Sequence, residues 1–390
     1  MKILYIATLS VLNDNLGVLK KIKGQAESMK SDTIIMDVVI FYKNESILLD
    51  KREFPNYFTF IKYPYSGFKR VFQLFNLWEM IFKFSRSKEY DVIYFRNPGS
   101  SYYLYLFLKK FKNKVILEHN SKELEEIKLR SKLPKFDLWK EVFFAKKGYK
   151  YALGNVGKAT EFSVHQEYKV GYKLNLKTIT NGVLVNQIQK KTYSNIVINK
   201  SINLIFVGNT AVWHGLERLL LGMKNYNGSL DYSLFLVGKE ETFLEILNKL
   251  ELKEFINKHI FLTGFKTGEE LEKLFDDADC AIGSLGLHRI NILNGVPLKH
   301  REYLSRGLPF IYSGMDEDID DSISKYLFNI EANESPVDFS KLLQFINDLN
   351  KKEENVSQIL TQYADKNIDM IIKSNELIDF IKYSINREML

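Results

Sequence analysis

Lys299 and Glu302 stand in a stretch whose residue types suit a phosphorylated nucleoside, Asn291 to Ser313, reading NILNGVPLKHREYLSRGLPFIYS. The Lys299 ammonium neutralises a diphosphate, and the Glu302 carboxylate accepts hydrogen bonds from a ribose. The elements that must hold them are legible in the same stretch. A polar loop with Asn294 and Gly295 leads to Pro297, at a first-turn position where its missing N–H costs nothing. LKHREYLSR reads as a helix, Gly307 as the left-handed residue beyond it, and LPFIY as a short buried strand. A loop feeding a helix N-terminus presents unpaired N–H groups and the positive dipole end, which favours phosphate. An ordinary strand–helix unit with a surface Glu and Lys has the same residues, and the stretch alone leaves both readings open.

Two further residues sit where chemistry is expected. His119 closes the strand pattern KVILEH, and ligands of open parallel sheets bind beyond the carboxyl ends of strands. A structural hydrogen-bonding role fits it equally. Gly17 follows a polar loop with Asn13, Asp14 and Asn15, between the strand KILYIAT and the helix VLKKIKGQAESM. A lone glycine is a weak phosphate signal, and the dinucleotide pattern GxGxxG is absent.

The chain of 390 residues is too long for one core and comfortable for two domains. Hydrophobic residues make up 45% and charged residues 26%, which places it among globular proteins. Cys280 is the only cysteine, so no disulfide framework or cysteine-based zinc site is possible, and a cytoplasmic location is expected. MKILYIATLS reads as a strand and not as a signal peptide.

Strand, loop and helix patterns alternate through both halves, as in doubly wound parallel sheets. The polar stretch 192–201 marks the boundary: a first domain over 1–190 and a second over 191–370. The region from about 337 to 386 reads as helical, with its last part, about 370–390, packing back on the first domain. Charge divides the same way. Residues 1–190 hold 33 Lys+Arg against 18 Asp+Glu, and the remainder 55 − 33 = 22 against 48 − 18 = 30. A basic half suits an anionic membrane face or a lipid diphosphate. No nucleic-acid motif accompanies it, so no nucleic-acid partner is expected. The basic, aromatic segment SGFKRVFQLFNLWEMIFKFSRS (66–87) fits either a core helix or one that touches membrane or acceptor.

Three pieces in order carry a family resemblance: FVGNTAVWHGLERLLLGM, then FLVGKEE with IFLTGFKTGEELEKLFDDADCAIGSL, then PLKHREYLSRGLPFIYSG. Together, over about 200–315, they resemble the donor domain of retaining family-4 (group 1) glycosyltransferases. The resemblance implies a GT-B fold: α/β, two Rossmann-like doubly wound domains facing across a cleft. It further implies a retaining transfer of a hexose from a nucleotide sugar to a glycan or polyprenyl-diphosphate-linked acceptor in surface-polysaccharide biosynthesis. Peripheral contact with an anionic membrane is part of the same expectation.

By that resemblance Gly17 lies near the donor diphosphate and His119 near the donor sugar and acceptor. Asn181 and Gly182 match the turn at the domain junction. The donor-phosphate loop is Gly208 to Gly215, where Asn209 and His214 replace the family's usual Arg and Lys, leaving His214, Arg218 or Lys299 as the clamp. Glu302 matches the ribose-binding Glu of the family's acidic pair, and Asn294 stands where the other Glu is usual. The N–H groups of Gly295 and Val296 remain as phosphate donors. His119, Lys299 and Asn294 are thus the candidate catalytic residues. No DxD pattern is present, so neither a divalent metal nor a cofactor is expected beyond the nucleotide sugar. The substitutions Asn209 and Asn294 keep a second reading open, a non-catalytic GT-B subunit that binds sugar or a partner.

Overall fold

The computed structural model describes residues 1–11, 16–44, 53–63, 70–191, 201–352 and 355–389. The chain forms two compact units, Met1–Gly182 with Met370–Leu390, and Val183–Asp369. The division falls after Gly182 rather than at the predicted residue 190. The reason is local: the Val183 N–H donates to the Ile368 carbonyl, and Val185 is buried in the second unit's core. The stretch 192–200, read as the linker, lies outside the described residues.

The first unit runs β1 (Lys2–Val11), α1 (Leu16–Met29), β2 (Ile35–Asn44), β3 (Phe58–Lys62), α2 (Arg70–Arg86), β4 (Val92–Arg96), α3 (Tyr102–Lys110), β5 (Val115–His119), α4 (Glu123–Arg130), α5 (Pro134–Gly148), β6 (Gly154–Gly157), α6 (Thr160–Val170) and β7 (Leu176–Thr178). Its described strands form one parallel sheet in the order β3-β2-β1-β4-β5-β6-β7. Strands covered on both faces must be apolar throughout, and Val92 to Phe95 are all buried. Tyr5, Tyr94, Ile116 and Val156 face α1 and the C-terminal helix, here labelled α14 (Met370–Met389) in chain order. Leu4, Ile93, Phe95 and Leu117 face α2 and α3.

In α2, Leu77, Trp78 and Ile81 are buried against Phe95 and Phe107, which is the behaviour of a core helix; residues 66–69 lie outside the described set. Gly17 lies in the first turn of α1 and not in a loop ahead of it, and residues 12–15, with the polar Asn13, Asp14 and Asn15, are outside the described set.

The second unit runs β8 (Ile202–Val207), α7 (Leu216–Lys224), β9 (Tyr232–Val237), α8 (Glu240–Lys249), β10 (Ile260–Gly264), α9 (Gly268–Asp277), β11 (Cys280–Ile282), α10 (Leu298–Arg306), β12 (Phe310–Ser313), α11 (Asp321–Ser324), β13 (Phe328–Ile330), α12 (Phe339–Asn350) and α13 (Val356–Asn367). Its sheet is parallel in the order β10-β9-β8-β11-β12-β13. The helical C-terminal region is three helices, because Asp338 and Asn355 cap new starts by accepting the N–H groups of Lys341 and Gln358, each at 3.0 Å. Both units are Rossmann-like and doubly wound.

Candidate active site

In the second unit the site is organised by α10. An ionic anchor beneath the helix fixes its N-terminal end. Arg301, fully buried, donates to both Asp316 carboxylate oxygens at 2.8 and 2.5 Å and pairs with Asp318 at 2.8 Å. His300 Nδ1 donates to Asp316 Oδ2 at 2.8 Å, because Nε2 already accepts the Ser284 N–H at 3.1 Å. Burial lowers the His300 pKa, so the ring stays neutral. A buried bidentate pair, reinforced by a second carboxylate and a histidine, holds a helix in one pose. At the other end Gly307 adopts φ 72°, and a Cβ there would lie 2.1 Å from Ser357 Oγ, so only glycine lets α10 end against α13.

Lys299 is the second residue of this helix, at the end where backbone N–H groups have no intrahelical acceptor. Its ammonium is sealed from solvent, has no hydrogen-bond partner within the protein, and sits 4.4 Å from the centroid of the Phe206 ring. Burial pulls its pKa from 10.5 to about 7, against a weaker opposite pull from Glu302. Beside it, His214 Nδ1 is likewise buried without a partner, and burial with the neighbouring Lys299 charge pushes its pKa down to about 2. Gly208 separates the two: a Cβ on it would lie 3.6 Å from Lys299 Nζ and 3.8 Å from His214 Nε2. The loop that carries His214 ends at Gly215, with φ 59°, where a Cβ would strike the Leu285 carbonyl carbon at 2.7 Å. A cation and a neutral imidazole, both stripped of water and both unsatisfied, form a receptor for an anion with several oxygens.

Glu302 lies one turn further, partly exposed, and accepts from Arg306 Nη2 at 2.9 Å. Arg306 is itself held by both Glu272 oxygens and packs over the Phe275 ring at 3.9 Å. The Asn294 side-chain amide donates to Glu317 Oε1 at 3.1 Å, so a carboxylate from the loop after β12 stands next to the residue that lacks one.

Two expectations for this unit are corrected. Arg218 is not a phosphate clamp: its buried guanidinium donates to the Ser335, Leu285 and Glu331 carbonyls at 2.9, 2.5 and 3.0 Å and to Asn333 Oδ1 at 3.2 Å. The Gly295 N–H donates to the Met315 carbonyl at 3.0 Å, so this expected phosphate donor is not presented. Asn209 is exposed on the donor-side loop as expected of a binding residue, and its Oδ1 accepts the Ala211 N–H at 3.0 Å.

In the first unit, consecutive residues of β5 point to opposite faces and serve two polar clusters. His119, fully buried, has Nδ1 at 3.0 Å from Glu123 Oε1 and 3.2 Å from Asn97 Nδ2, and Nε2 at 3.1 Å from Asn155 Oδ1. Glu123 continues to Gln166 at 2.6 Å and Lys169 at 3.4 Å, and Lys169 to Glu141 at 3.1 Å. Both ring nitrogens of His119 are therefore engaged within the protein, tying β5 to α4 and β6.

Glu118, on the other face, is fully buried and paired with Lys21, with Arg96 Nη1 at 3.7 Å and the Tyr5 hydroxyl donating at 3.2 Å. Lys158 is also buried and interacts with the same carboxylate. Three cations thus surround one carboxylate, and burial draws the Lys21 pKa down to about 7 and lowers that of Lys158. The sequence signal was period-two spacing at strand ends, which puts Arg96, Glu118 and Lys158 in line with Tyr94, Ile116 and Val156. Lys21, from helix α1, had no such signal. Gly17 is exposed and has nothing within 4 Å of a built Cβ.

Among the described residues no group of three or more His, Cys, Asp or Glu is arranged to hold a metal ion, and no helix is long and apolar enough to cross a membrane.

The architecture of the whole chain is shared with solved GT-B glycosyltransferases. It aligns over 98% of its length with Alr3699/HepE of Anabaena in complex with UDP and glucose, covering 100% of that chain at 13% identity and a TM-score of 0.65. Sucrose-phosphate synthase of Thermosynechococcus elongatus aligns over 98% of each chain at 12% identity and TM-score 0.69. WaaG, a glycosyltransferase involved in lipopolysaccharide biosynthesis, aligns over 98% of this chain and 99% of its own at 11% identity and TM-score 0.66. No curated protein sequence matches. Residues 189–372 match the family model described as Glycosyl transferases group 1.

Proposed function

We propose that this protein is a retaining, metal-independent hexosyltransferase. It moves a sugar from a nucleoside-diphosphate donor to a glycan or polyprenyl-diphosphate-linked acceptor in surface-polysaccharide assembly of the capsule or O-antigen kind, in the cytoplasm at the inner membrane face. The observation that carries the donor assignment is the Lys299 ammonium, buried and unpartnered at the N-terminus of α10 beside His214. Burying such a cation is costly unless an anion completes it.

In the transfer, the bond from the anomeric carbon to the β-phosphate oxygen breaks and its electron pair leaves with the diphosphate. The acceptor hydroxyl oxygen forms the new bond on the same face, and its proton passes to the departing phosphate. Lys299, the His214 imidazole and the first-turn amides of α10 stabilise the charge growing on that phosphate. Glu302, aimed by Arg306, takes the ribose hydroxyls. Asn294 hydrogen-bonds sugar hydroxyls, and Glu317 behind it supplies the negative charge that an amide lacks. The cation excess of Lys21, Arg96 and Lys158 around Glu118 supports an acceptor that carries phosphate. No metal or cofactor is required in this scheme, and turnover that survives EDTA is the expected result.

The testing experiment is a thermal-shift panel of UDP, GDP, dTDP, CMP and ADP on wild-type and Glu302→Ala protein. UDP is the first choice because the Anabaena protein was crystallised with UDP-glucose. Selective stabilisation by one diphosphate, lost in the variant, is expected. No shift with any nucleotide refutes the donor site and favours a non-catalytic sugar- or partner-binding subunit, the reading that Asn209 and Asn294 keep in view. Absence of donor hydrolysis and transfer by a protein that binds nucleotide would do the same.

A further inference from the structure

Helix α5 wears its apolar residues on the wrong side for a core helix. Its inward face is Glu141, Ala145 and Gly148, all buried. Its outward face, one stripe at helical spacing, carries Phe136, Trp139 and Phe143, exposed at 58%, 58% and 39%; Leu133 just before it and Leu129 at the end of α4 are exposed at 66% and 55%. Phe136 stacks on Trp139 at 6.1 Å between ring centroids and Trp139 on Phe143 at 5.3 Å, so the rings form one continuous strip. Isolated exposed apolar residues need no explanation, but a contiguous strip of large ones does.

Charge identifies the occupant. Residues 123–150, which span α4 and α5, contain eight Lys or Arg and five Asp or Glu, and two of those acids are turned inward, Glu123 onto His119 and Gln166 and Glu141 onto Lys169. Lys140 and Lys147 flank the strip, their ammonium groups 5.9 and 5.8 Å from the Phe136 and Phe143 ring centroids. Aromatic rings on a convex helix, bordered by lysines that can reach past them, match the interfacial layer of an anionic bilayer: rings enter the headgroup region while ammonium groups meet lipid phosphates.

We propose that the outward face of α4–α5, and not α2, is a membrane-docking surface for anionic lipid. It is independent of the donor chemistry, so failure of vesicle binding leaves nucleotide binding untouched, and the reverse.

The test is co-sedimentation of the full chain with vesicles of phosphatidylglycerol and phosphatidylcholine against pure phosphatidylcholine. The expected result is binding to the mixed vesicles alone. A Phe136→Ser/Trp139→Ser double variant should lower it roughly tenfold or more. Lys140→Gln and Lys147→Gln should each lower it roughly fivefold, the worth of one basic residue near an anionic surface. A blue shift of tryptophan emission should accompany binding and vanish in Trp139→Phe, since Trp78 is buried already and Trp213, the third tryptophan, belongs to the other unit. These outward substitutions should leave the melting temperature of the free protein unchanged, which separates docking from folding. Binding that is absent, unchanged in the α5 variants, or lost instead in Leu74→Ser/Phe75→Ser on α2 would overturn the proposal. So would a concentration-dependent dimer in sedimentation velocity that dissolves in Phe136→Ser/Trp139→Ser, because the strip would then be a contact between copies.

Discussion

Replacing Lys299 with methionine is expected to make the protein more stable and its donor binding weaker. The side chain keeps its length and loses its charge. In the native protein the ammonium is buried with no hydrogen-bond partner, and its pKa falls from 10.5 to about 7. That shift, at about 1.36 kcal/mol per unit, corresponds to a penalty on the order of 4–5 kcal/mol for holding the charged form in the empty site. Methionine carries no such penalty, so the unliganded variant should melt higher at pH 7.

The sign follows from proton counting. Between pH 7 and 10.5 the unfolded chain binds the Lys299 proton and the native chain does not, so this residue makes wild-type stability rise with pH across that window. Below it the penalty is fully present. The variant should lack the rise.

Binding has the opposite dependence. A diphosphate meets the protonated ammonium, so wild-type affinity should fall as pH is raised above about 7, approaching tenfold per pH unit, with proton uptake on binding. A charge-assisted hydrogen bond is worth about 2 kcal/mol, so the variant should bind about 30-fold more weakly at pH 7 and show little pH dependence. Isothermal titration calorimetry with UDP at pH 7 and 9, in two buffers of different ionisation enthalpy, reads affinity and proton uptake together. A variant that binds as tightly as wild type, keeps its pH slope, or melts lower without ligand would refute the reasoning.

Other expectations are as specific. Arg306→Gln should mimic a milder Glu302→Ala, raising the donor KM roughly tenfold, because Glu302 loses its 2.9 Å partner; unchanged donor kinetics would remove Arg306 from the site. His119→Ala should cost about 2–4 kcal/mol of stability in urea unfolding, because a fully buried, doubly engaged ring is removed, while nucleotide affinity of the folded protein stays at wild type. Glu317→Gln should lower kcat more than it raises donor KM, and an effect on KM alone would show that Glu317 only shapes the loop. Lys21→Met should flatten the rise of the urea midpoint between pH 7 and 10.5 that its lowered pKa produces in the wild type; a midpoint profile unchanged by the substitution would show that Glu118 keeps Lys21 charged.

Local chemistry determined much of this in advance. Alternation of apolar runs with amphipathic segments dictated parallel sheets. Gly307 and Pro309 dictated where α10 stops, and Lys299 and Glu302 were legible because a helix N-terminus fixes what its first two turns can meet. Backbone preference and periodicity are short-range, and they are written residue by residue. What neighbours do to a side chain is not. Arg218 reads as a phosphate ligand and is a buried clamp for three loops. The Gly295 N–H reads as a phosphate donor and is consumed by the Met315 carbonyl. His119 has the right position at a strand end, yet Glu123 and Asn155 occupy its ring. Segment 66–87 and helix α5 are both aromatic and basic, and only packing decided that Trp78 of α2 turns inward while Phe136, Trp139 and Phe143 of α5 turn out. The sequence by itself determined which residues are chemically capable and which elements carry them. Tertiary structure alone decided which polar atoms were already satisfied and which, like the Lys299 ammonium, were left buried and unpaired, because hydrogen-bond partners come from segments far apart in the chain.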